Sequence, residues 1–202
     1  MYDEFYANRQ TWNGDKNMNN VYFCSDFHFC HDRDFIYKPR GFDSIYEMNE
    51  QIIKNFNEVV DWTDDLYILG DCFLNNNEEG MSYMRRLPGK KHIIWGNHDT
   101  VARQELMWLE NFDCLGYAHR MRLNGYSLYL SHYPTLTANH DDDKPLKRKT
   151  VCLCGHSHVQ DKFQDFDKGL IYHVELDAHN CYPVLFEDII KDIKEKLHEK
   201  EN

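Results

Sequence analysis

Near the middle of the chain lies the stretch His92-Ile93-Ile94-Trp95-Gly96-Asn97-His98-Asp99. Its β-branched and aromatic residues stop at a glycine, which is typical of a buried strand that delivers polar residues to its carboxyl end. Open α/β sheets bind their ligands at that end of the strands. Asn97 offers a neutral amide oxygen to a metal, and His98 can carry a proton. Taken alone this is an ordinary turn, so a functional site requires further strand ends of the same kind.

Four further strand-like runs end in potential metal ligands. The residues concerned are Asp26 and His28 after residues 21–25, Asp71 after residues 66–69, His132 after residues 126–130, and His156 and His158 after residues 150–154. Residues two apart in extended backbone face the same side, so each Asp/His or His/His pair can chelate one cation. A carboxylate such as Asp71 has two oxygens and can bridge two cations. Asp26 with His28, or Asp71 after its glycine, fits a polar loop or turn when taken alone, whereas His156 and His158 form the most specific single motif. The ordered series predicts a metal site.

The remaining pattern predicts an α/β fold with a parallel sheet. Ser44 and Glu47 have the spacing of a capping box ahead of apolar residues at helical spacing, which gives a β-α-β unit. Asn124-Gly125 predicts a β-hairpin. Further helices are predicted near residues 78–87, 104–110 and 188–197, and a late strand near residues 170–176. We expect one domain, with an N-terminal extension over residues 1–20, a core over about 21–184 and a C-terminal helix within 185–202.

Composition and charge restrict the class of protein. Hydrophobic residues make up 42% of the chain, which is typical of a folded domain. The formal net charge of −11 argues against binding duplex nucleic acid through a basic face, but bound divalent cations would still allow a small phosphate ester. We expect a cytoplasmic protein without a membrane partner, because no secretory signal or apolar span is visible and the odd number of cysteines lacks a disulfide pattern. The oligomeric state is not predicted.

The ordered motifs resemble those of the calcineurin-like metallophosphoesterase superfamily, whose pattern is D-x-H, G-D, G-N-H-D/E, H and G-H-x-H. Residues 26–158 fill this pattern completely, and residues 177–184 are similar to the ending of small prokaryotic and phage-type members. The resemblance implies a four-layer α/β/β/α sandwich. It also implies a dinuclear metal site at the strand ends.

The resemblance further implies a role for each motif residue. One metal would be bound by Asp26, His28, Asp71 and His158, and the other by Asp71, Asn97, His132 and His156. Asp71 would be the bridge, and His98 would donate a proton to the leaving oxygen or orient the phosphoryl group. The donor types suit Mn²⁺, Fe²⁺, Co²⁺, Ni²⁺ or Zn²⁺. His31 and Arg103 are candidates for substrate contacts.

The expected activity is hydrolysis of phosphate mono- or diesters, with small nucleotide-like substrates, by a metal-activated hydroxide. In the protein phosphatase branch a further aspartate after Gly-Asp supports the catalytic histidine, but Leu74 stands at that place here. This departure argues against a protein phosphatase and suggests Asp99 as an alternative support for His98. Two other functions remain open: a catalytically idle binding scaffold of the same fold, and a nuclease acting on single-stranded nucleic acid.

Overall fold

The computed structural model describes residues 19–137, 144–164 and 169–201, so nearly all of the predicted N-terminal extension lies outside the described residues. The strands form two five-stranded sheets. The first sheet consists of β1 (Val21–Cys24), β2 (Asp65–Leu69), β3 (Lys90–Ile94), β4 (Asp113–Gly116) and β10 (Val184–Leu185). The second consists of β5 (Ala118–Leu123), β6 (Tyr126–Ser131), β7 (Thr150–Cys154), β8 (Phe163–Gln164) and β9 (Leu170–His173). The helices are α1 (Asp34–Tyr37), α2 (Ile45–Val59), α3 (Asn77–Arg86), α4 (Val101–Leu109) and α5 (Phe186–Glu201).

Strand direction brings the predicted site residues to one edge of each sheet. The first sheet has the order β10-β1-β2-β3-β4, and β1 to β4 are parallel. In the second sheet, of order β5-β6-β7-β9-β8, the three central strands are parallel. Parallel strands end together, so the polar residues that follow β1, β2 and β3 are neighbours, as are those after β6 and β7.

Apolar side chains form two main cores, one on each face of the first sheet. Between this sheet and the helices, Ile68 and Ile93 pack with Ile52 and Phe56 of α2 and with Met84 of α3. The other core lies between the sheets, where inward residues of both sheets pack together with residues of α5, among them Phe23, Leu69, Leu130, Leu153 and Ile189. The mixed α/β fold with two sheets confirms the predicted fold class, while the number of layers stays a prediction.

Most predicted elements are confirmed, with some changes of boundary. The Ser44 Oγ accepts a hydrogen bond from the Glu47 backbone N–H at 3.2 Å, which is the predicted cap of α2. Residues Asn124 and Gly125, both with positive φ, connect β5 to β6 as a hairpin. The late strand ends at His173 and is followed by a 3₁₀ helix over Leu176–His179. The short elements α1, β4, β8 and β10 were not predicted.

Two bulk expectations also have structural counterparts. Among the described residues, no helix combines the length and the apolar composition that a bilayer span requires. All seven cysteines belong to these residues, and none of them forms a disulfide.

Candidate metal centre

The first half of the site lies where β1 and β7 end. The Nε2 atoms of His28 and His158 are 3.0 Å apart, and each lies 3.7 Å from the same carboxylate oxygen, Asp26 Oδ1. Asp26 and His28 are almost completely buried, whereas the side chain of His158 is 31% exposed. Three potential ligand atoms therefore surround one small volume that is open to solvent on the side of His158.

The second half lies where β3 and β6 end. His132 Nε2 is 2.8 Å from Asn97 Oδ1 and 3.5 Å from Asp71 Oδ2. The ring of His156 approaches that of His132, with 5.0 Å between the centroids. Asp71 Oδ2 is also 3.5 Å from His28 Nε2 in the first half. A single carboxylate oxygen thus lies within reach of both halves, as the bridging role predicted for Asp71 requires.

Close approach of these loops depends on glycines at the strand ends. A Cβ atom at Gly96 would lie 2.2 Å from Asp71 Oδ1, and one at Gly155 would lie 2.1 Å from Asp26 Oδ2. Neither distance is possible for a real side chain. The glycines that follow β3 and β7 therefore have a steric cause, because the acidic side chain that follows a neighbouring strand fills the place of the missing Cβ.

The backbone at the site is held in an unusual conformation. Five of the predicted ligands have positive φ angles, between 50° and 76°: Asp26, His28, Asp71, His156 and His158. Positive φ costs a residue with a Cβ about 1–2 kcal/mol, and such residues persist only when the surrounding structure enforces them. Concentration of this strain in one place is typical of a functional site.

Asp99 holds the loops of β2 and β3 together. Its buried carboxylate accepts hydrogen bonds from the backbone N–H groups of Asp71 and Gly96, both at 2.8 Å, and of Cys72 at 3.1 Å. Burial raises the pKa of Asp99, although the three N–H donors oppose this. Its oxygens therefore bind backbone N–H groups, so Asp99 holds two loops together. This role differs from the expected support of the His98 ring.

A buried ion pair supports His158 from behind. The Nδ1 atom of His158 lies 3.0 Å from Asp177 Oδ2, and the same oxygen accepts a hydrogen bond from Arg40 at 2.6 Å. Arg40 also donates to the backbone oxygen of Asp26 at 2.8 Å. Burial opposes protonation of His158, but the hydrogen bond with Asp177 outweighs it and raises the pKa of this ring. Because a carboxylate at Nδ1 fixes the proton there, the neutral form of His158 directs its Nε2 lone pair into the site. Arg40 is thus a buried part of the scaffold around the site.

His98 lies at the rim of the site. Its Nε2 is 3.9 Å from Asp71 Oδ2, its side chain is 39% exposed, and its backbone N–H donates to Asp71 Oδ1 at 2.8 Å. Arg103 donates to the backbone oxygen of His98 and to Asn77 Oδ1, so at least part of its guanidinium holds this turn in place. Burial and then the charge of Arg103 lower the pKa of His98, which makes its protonated form a stronger acid.

His31 lies beside the first half of the site. Its Nδ1 is 3.1 Å from His28 Nδ1, and its ring centroid is 5.9 Å from that of His98. Burial lowers the pKa of His31 to about 4. A neutral imidazole next to the His98 ring has the position predicted for a substrate contact.

The electrostatics of the buried residues fit bound cations. Asp26 Oδ1 is completely buried and has no hydrogen-bond partner. Burial opposes ionisation of Asp26, but the nearby imidazoles of His28, His132 and His158 outweigh it and lower the pKa. Burial and the proximity of Asp26 raise the pKa of Asp71. Two adjacent buried carboxylates surrounded by imidazole nitrogens and an amide oxygen form a donor set suited to divalent transition metals.

The structure brings all the predicted ligands to one place, together with His98 and His31. What the sequence analysis missed is the support behind them, namely Arg40, Asp177 and the backbone contacts of Asp99. In the sequence, Asp177 is marked only as the first residue of the stretch 177–184, which is similar to the ending of small superfamily members. No local pattern marks Arg40 as its partner, because the two residues are 137 positions apart.

Comparison with known proteins agrees with the geometry. Residues 20–174 match the sequence model of the calcineurin-like phosphoesterase superfamily domain. The chain belongs to this superfamily. Membership implies hydrolase chemistry on phosphate esters and confirms the resemblance seen in the ordered motifs.

Relatives of this superfamily member cover most of its length. An uncharacterized protein of Methanocaldococcus jannaschii is 31% identical over 182 residues, which is 88% of this chain and 93% of that protein. The gene 66 protein of Mycobacterium phage L5 is 24% identical over 208 residues, covering 91% and 98%. Among solved structures, a protein of unknown function from Aquifex aeolicus superposes with a TM-score of 0.60 at 25% identity, covering 86% of this chain and 99% of the other.

Proposed function

We propose that this calcineurin-like phosphoesterase holds two divalent metal ions and hydrolyses phosphate mono- or diesters of small, nucleotide-like molecules in the cytoplasm. The contact between His132 and Asn97 carries the proposal. His132 Nδ1 lies 2.8 Å from the backbone oxygen of Leu69, so its proton is on that nitrogen. The bare Nε2 then faces Asn97 Oδ1 at 2.8 Å. A cation beside both atoms would stabilise two acceptors at this distance, and a metal-binding histidine commonly donates its other N–H in this way.

The same reasoning applies in the first half of the site. The bond to Asp177 places the proton of His158 on Nδ1, so its Nε2 also presents a lone pair, 3.0 Å from the Nε2 of His28. Burial lowers the pKa of His28 to about 4, which leaves this ring neutral near pH 7. Asp26 Oδ1, without a partner, faces both nitrogens. We therefore assign Asp26, His28, Asp71 and His158 to one ion, and Asp71, Asn97, His132 and His156 to the other.

When bound, the two cations would lower the pKa of water, supplying hydroxide at neutral pH, and neutralise charge on the phosphate oxygens. Residues of the chain position the two halves of the site and supply the proton. Asp71 fixes the distance between the two halves, and through the His98 backbone N–H it also fixes the position of the acid. The partly exposed imidazole of His98 would then protonate the leaving oxygen. Hydrolysis would form a bond from a water-derived oxygen to phosphorus and break the bond to the leaving oxygen, so no covalent enzyme intermediate would be required.

The test begins with metal-stripped protein that is refilled with Mn²⁺, Ni²⁺ or Zn²⁺. Metal analysis should find two ions per chain, and the loaded protein should hydrolyse chromogenic phosphate mono- or diesters. Asp71→Asn should lower the uptake of both ions, whereas Asp113→Asn, at an exposed carboxylate on β4, should bind as the unmodified protein does. Uptake of two ions without hydrolysis of either ester would favour the binding scaffold instead. Failure to bind any of these ions would overturn the proposal.

A further inference from the structure

Two exposed aromatic rings lie against the imidazoles of the metal centre. Phe35 is 68% exposed, and its ring centroid is 5.7 Å from that of His31 in an edge-to-face arrangement. Tyr133 is 50% exposed, and its centroid lies 4.6 Å from that of His156 and 5.2 Å from that of His132. The free surfaces of both rings therefore face solvent immediately beside the place where a phosphate group would bind.

Both rings are attached to anchored backbone. Phe35 belongs to α1, where its neighbours Ile36 and Tyr37 are buried. The backbone oxygen of Tyr133 accepts a hydrogen bond from Ser131 Oγ at 2.7 Å. A ring on a fixed backbone loses little conformational entropy when a ligand packs against it, so exposed aromatic groups of this kind are efficient binding surfaces.

The rings belong to different halves of the site. Asp71 Oδ2 lies 3.5 Å from the Nε2 atoms of both His28 and His132, midway between the halves. Phe35 contacts His31, whose Nδ1 atom is 3.1 Å from the Nδ1 atom of His28. Tyr133 contacts the ring of His132 directly. A phosphorus atom bound over Asp71 would consequently have one aromatic ring available on each side.

We propose that Phe35 and Tyr133 form two stacking subsites, and that the substrate is a phosphodiester carrying planar aromatic groups on both sides of phosphorus. Phe35 binds the leaving group, because it contacts His31 and the His31 ring lies next to that of His98, with 5.9 Å between the centroids. Tyr133 binds the group that stays on phosphorus. The inference deepens the proposed function and rests on it, and the hydrolytic step is the one given above.

Planar aromatic groups are the class that such surfaces recognise best. A base stacked on an aromatic side chain contributes enough binding to change affinity by roughly five- to tenfold or more, whichever base it is. An alkyl group attached to phosphorus in the same way has no π-face, so it does not gain this affinity. Nucleobases and simple aryl groups share this chemistry, so the experiment includes a pair of ligands for each.

Binding is measured first, with Mn²⁺-loaded protein and ligands that differ only in the planar group. Phenylphosphonate is compared with methylphosphonate, and adenosine 5′-monophosphate with ribose 5-phosphate, by calorimetric titration. We expect the planar member of at least one pair to bind about tenfold more tightly. A preference confined to the first pair identifies simple aryl esters, and one seen in the second identifies nucleotides. Equal affinities within both pairs would overturn the inference.

Variants then locate the preference. Phe35→Leu and Tyr133→Leu remove a planar face while keeping an apolar side chain. Each ligand carries a single planar group, so at least one of the two variants should reduce the affinity ratio threefold or more. Tyr133→Phe should retain it. Tyr46→Leu is the matched control, because Tyr46 on α2 is 67% exposed, almost the same as Phe35. The metal content of each variant is measured, so that a disturbed metal centre is not mistaken for a lost subsite. Ratios that stay unchanged in both leucine variants would refute the assignment.

Kinetics distinguish this inference from the proposed function. Bis(p-nitrophenyl) phosphate and methyl p-nitrophenyl phosphate release the same leaving group and differ only in the group that stays. Tyr133→Leu should raise the KM of the first ester relative to the second, with kcat affected much less. If the unmodified protein cleaves both esters and this ratio does not change, the subsite is wrong and the phosphoesterase proposal stands. If neither ester is cleaved but the binding preferences hold, the proposed function and the phosphodiester substrate are both wrong, and only the two stacking surfaces remain.

Discussion

Asp177 lies 3.0 Å from His158 through its Oδ2 atom, and the same carboxylate forms a buried ion pair with Arg40. The side chains of the pair are 1% and 8% exposed. One carboxylate therefore orients a potential metal ligand and neutralises a buried guanidinium at the same time. Since Arg40 also bonds to the backbone of Asp26, a single contact network supports two predicted ligands from outside the site.

Asp177→Asn should weaken metal binding and destabilise the fold together. The amide must present an N–H group to one of two donors, and Arg40 loses its counter-charge. Loss of such a support typically lowers metal affinity 10- to 100-fold, and an unpaired buried charge costs about 3 kcal/mol or more of unfolding free energy. Chelator competition and urea unfolding measure the two effects. Glu110→Gln, in an exposed pair with Arg85, should change stability by less than about 1 kcal/mol. A variant as stable as the control would contradict the prediction.

Asp99→Asn should lower the stability of the protein without directly changing proton donation by His98. The carboxylate accepts three backbone N–H groups, and an amide cannot accept as many with one of its own donors turned toward them. We expect a loss of about 2–3 kcal/mol in the unfolding free energy. Asp32→Asn, at an exposed position, is the control and should be within about 0.5 kcal/mol. If Asp99→Asn instead kept full stability and shifted only the pH profile of hydrolysis, Asp99 would act on His98 after all.

Gly155→Ala should displace Asp26. The added methyl group would lie 2.1 Å from Asp26 Oδ2 and from Ser25 Oγ, both of which belong to buried side chains. Overpacking of this kind costs about 1–3 kcal/mol, and the shifted carboxylate should reduce metal uptake as well. Gly169→Ala is the matched control, because its nearest neighbour would be 3.5 Å away. Thermal unfolding and metal analysis of both variants test the prediction, and identical results for the two glycines would refute it.

His98→Ala should keep both metal ions yet lose most turnover. General acid catalysis contributes about 10²–10⁴-fold, and its contribution grows as the leaving group becomes more basic. The loss should therefore be larger for a dinucleotide, which releases an alkoxide, than for bis(p-nitrophenyl) phosphate. Rates are compared at equal metal content, with His119→Ala on β5 as a control for loss of a histidine away from the site. Full activity toward both esters would remove His98 from the chemistry.

The order of the site along the chain was readable from sequence because each motif is local. Each ligand follows its strand within a few residues, so hydrophobic periodicity and residue type were sufficient to place Asp26, Asp71 and His132 at strand ends. Asp99 shows where this reasoning stops. It directly follows His98 in the sequence, but its side chain points to the backbone of a neighbouring loop instead.

The missed elements have similar causes. Strand β4 is only four residues long, has just one fully apolar pair at its centre and pairs with β3 through an irregular register, so its existence depends on the neighbouring strand. Helix α4 begins at Val101 rather than near Gln104, and no side chain caps its first turn. Boundaries of this sort are set by tertiary contacts, which override local preference.

The sequence by itself determined the strand ends, the types of donor atom they deliver and the superfamily, since each is encoded in a short contiguous pattern. Only the tertiary structure decided how the donors face one another, which nitrogen of His132 and His158 is free, and that Arg40 and Asp177 stand behind the site. Those features arise from pairs of residues between 19 and 137 positions apart, whose contact depends on the packing of the whole domain. The exposure of Phe35 and Tyr133 beside the site likewise follows from that packing, because a sequence does not state which aromatic rings the core leaves in solvent.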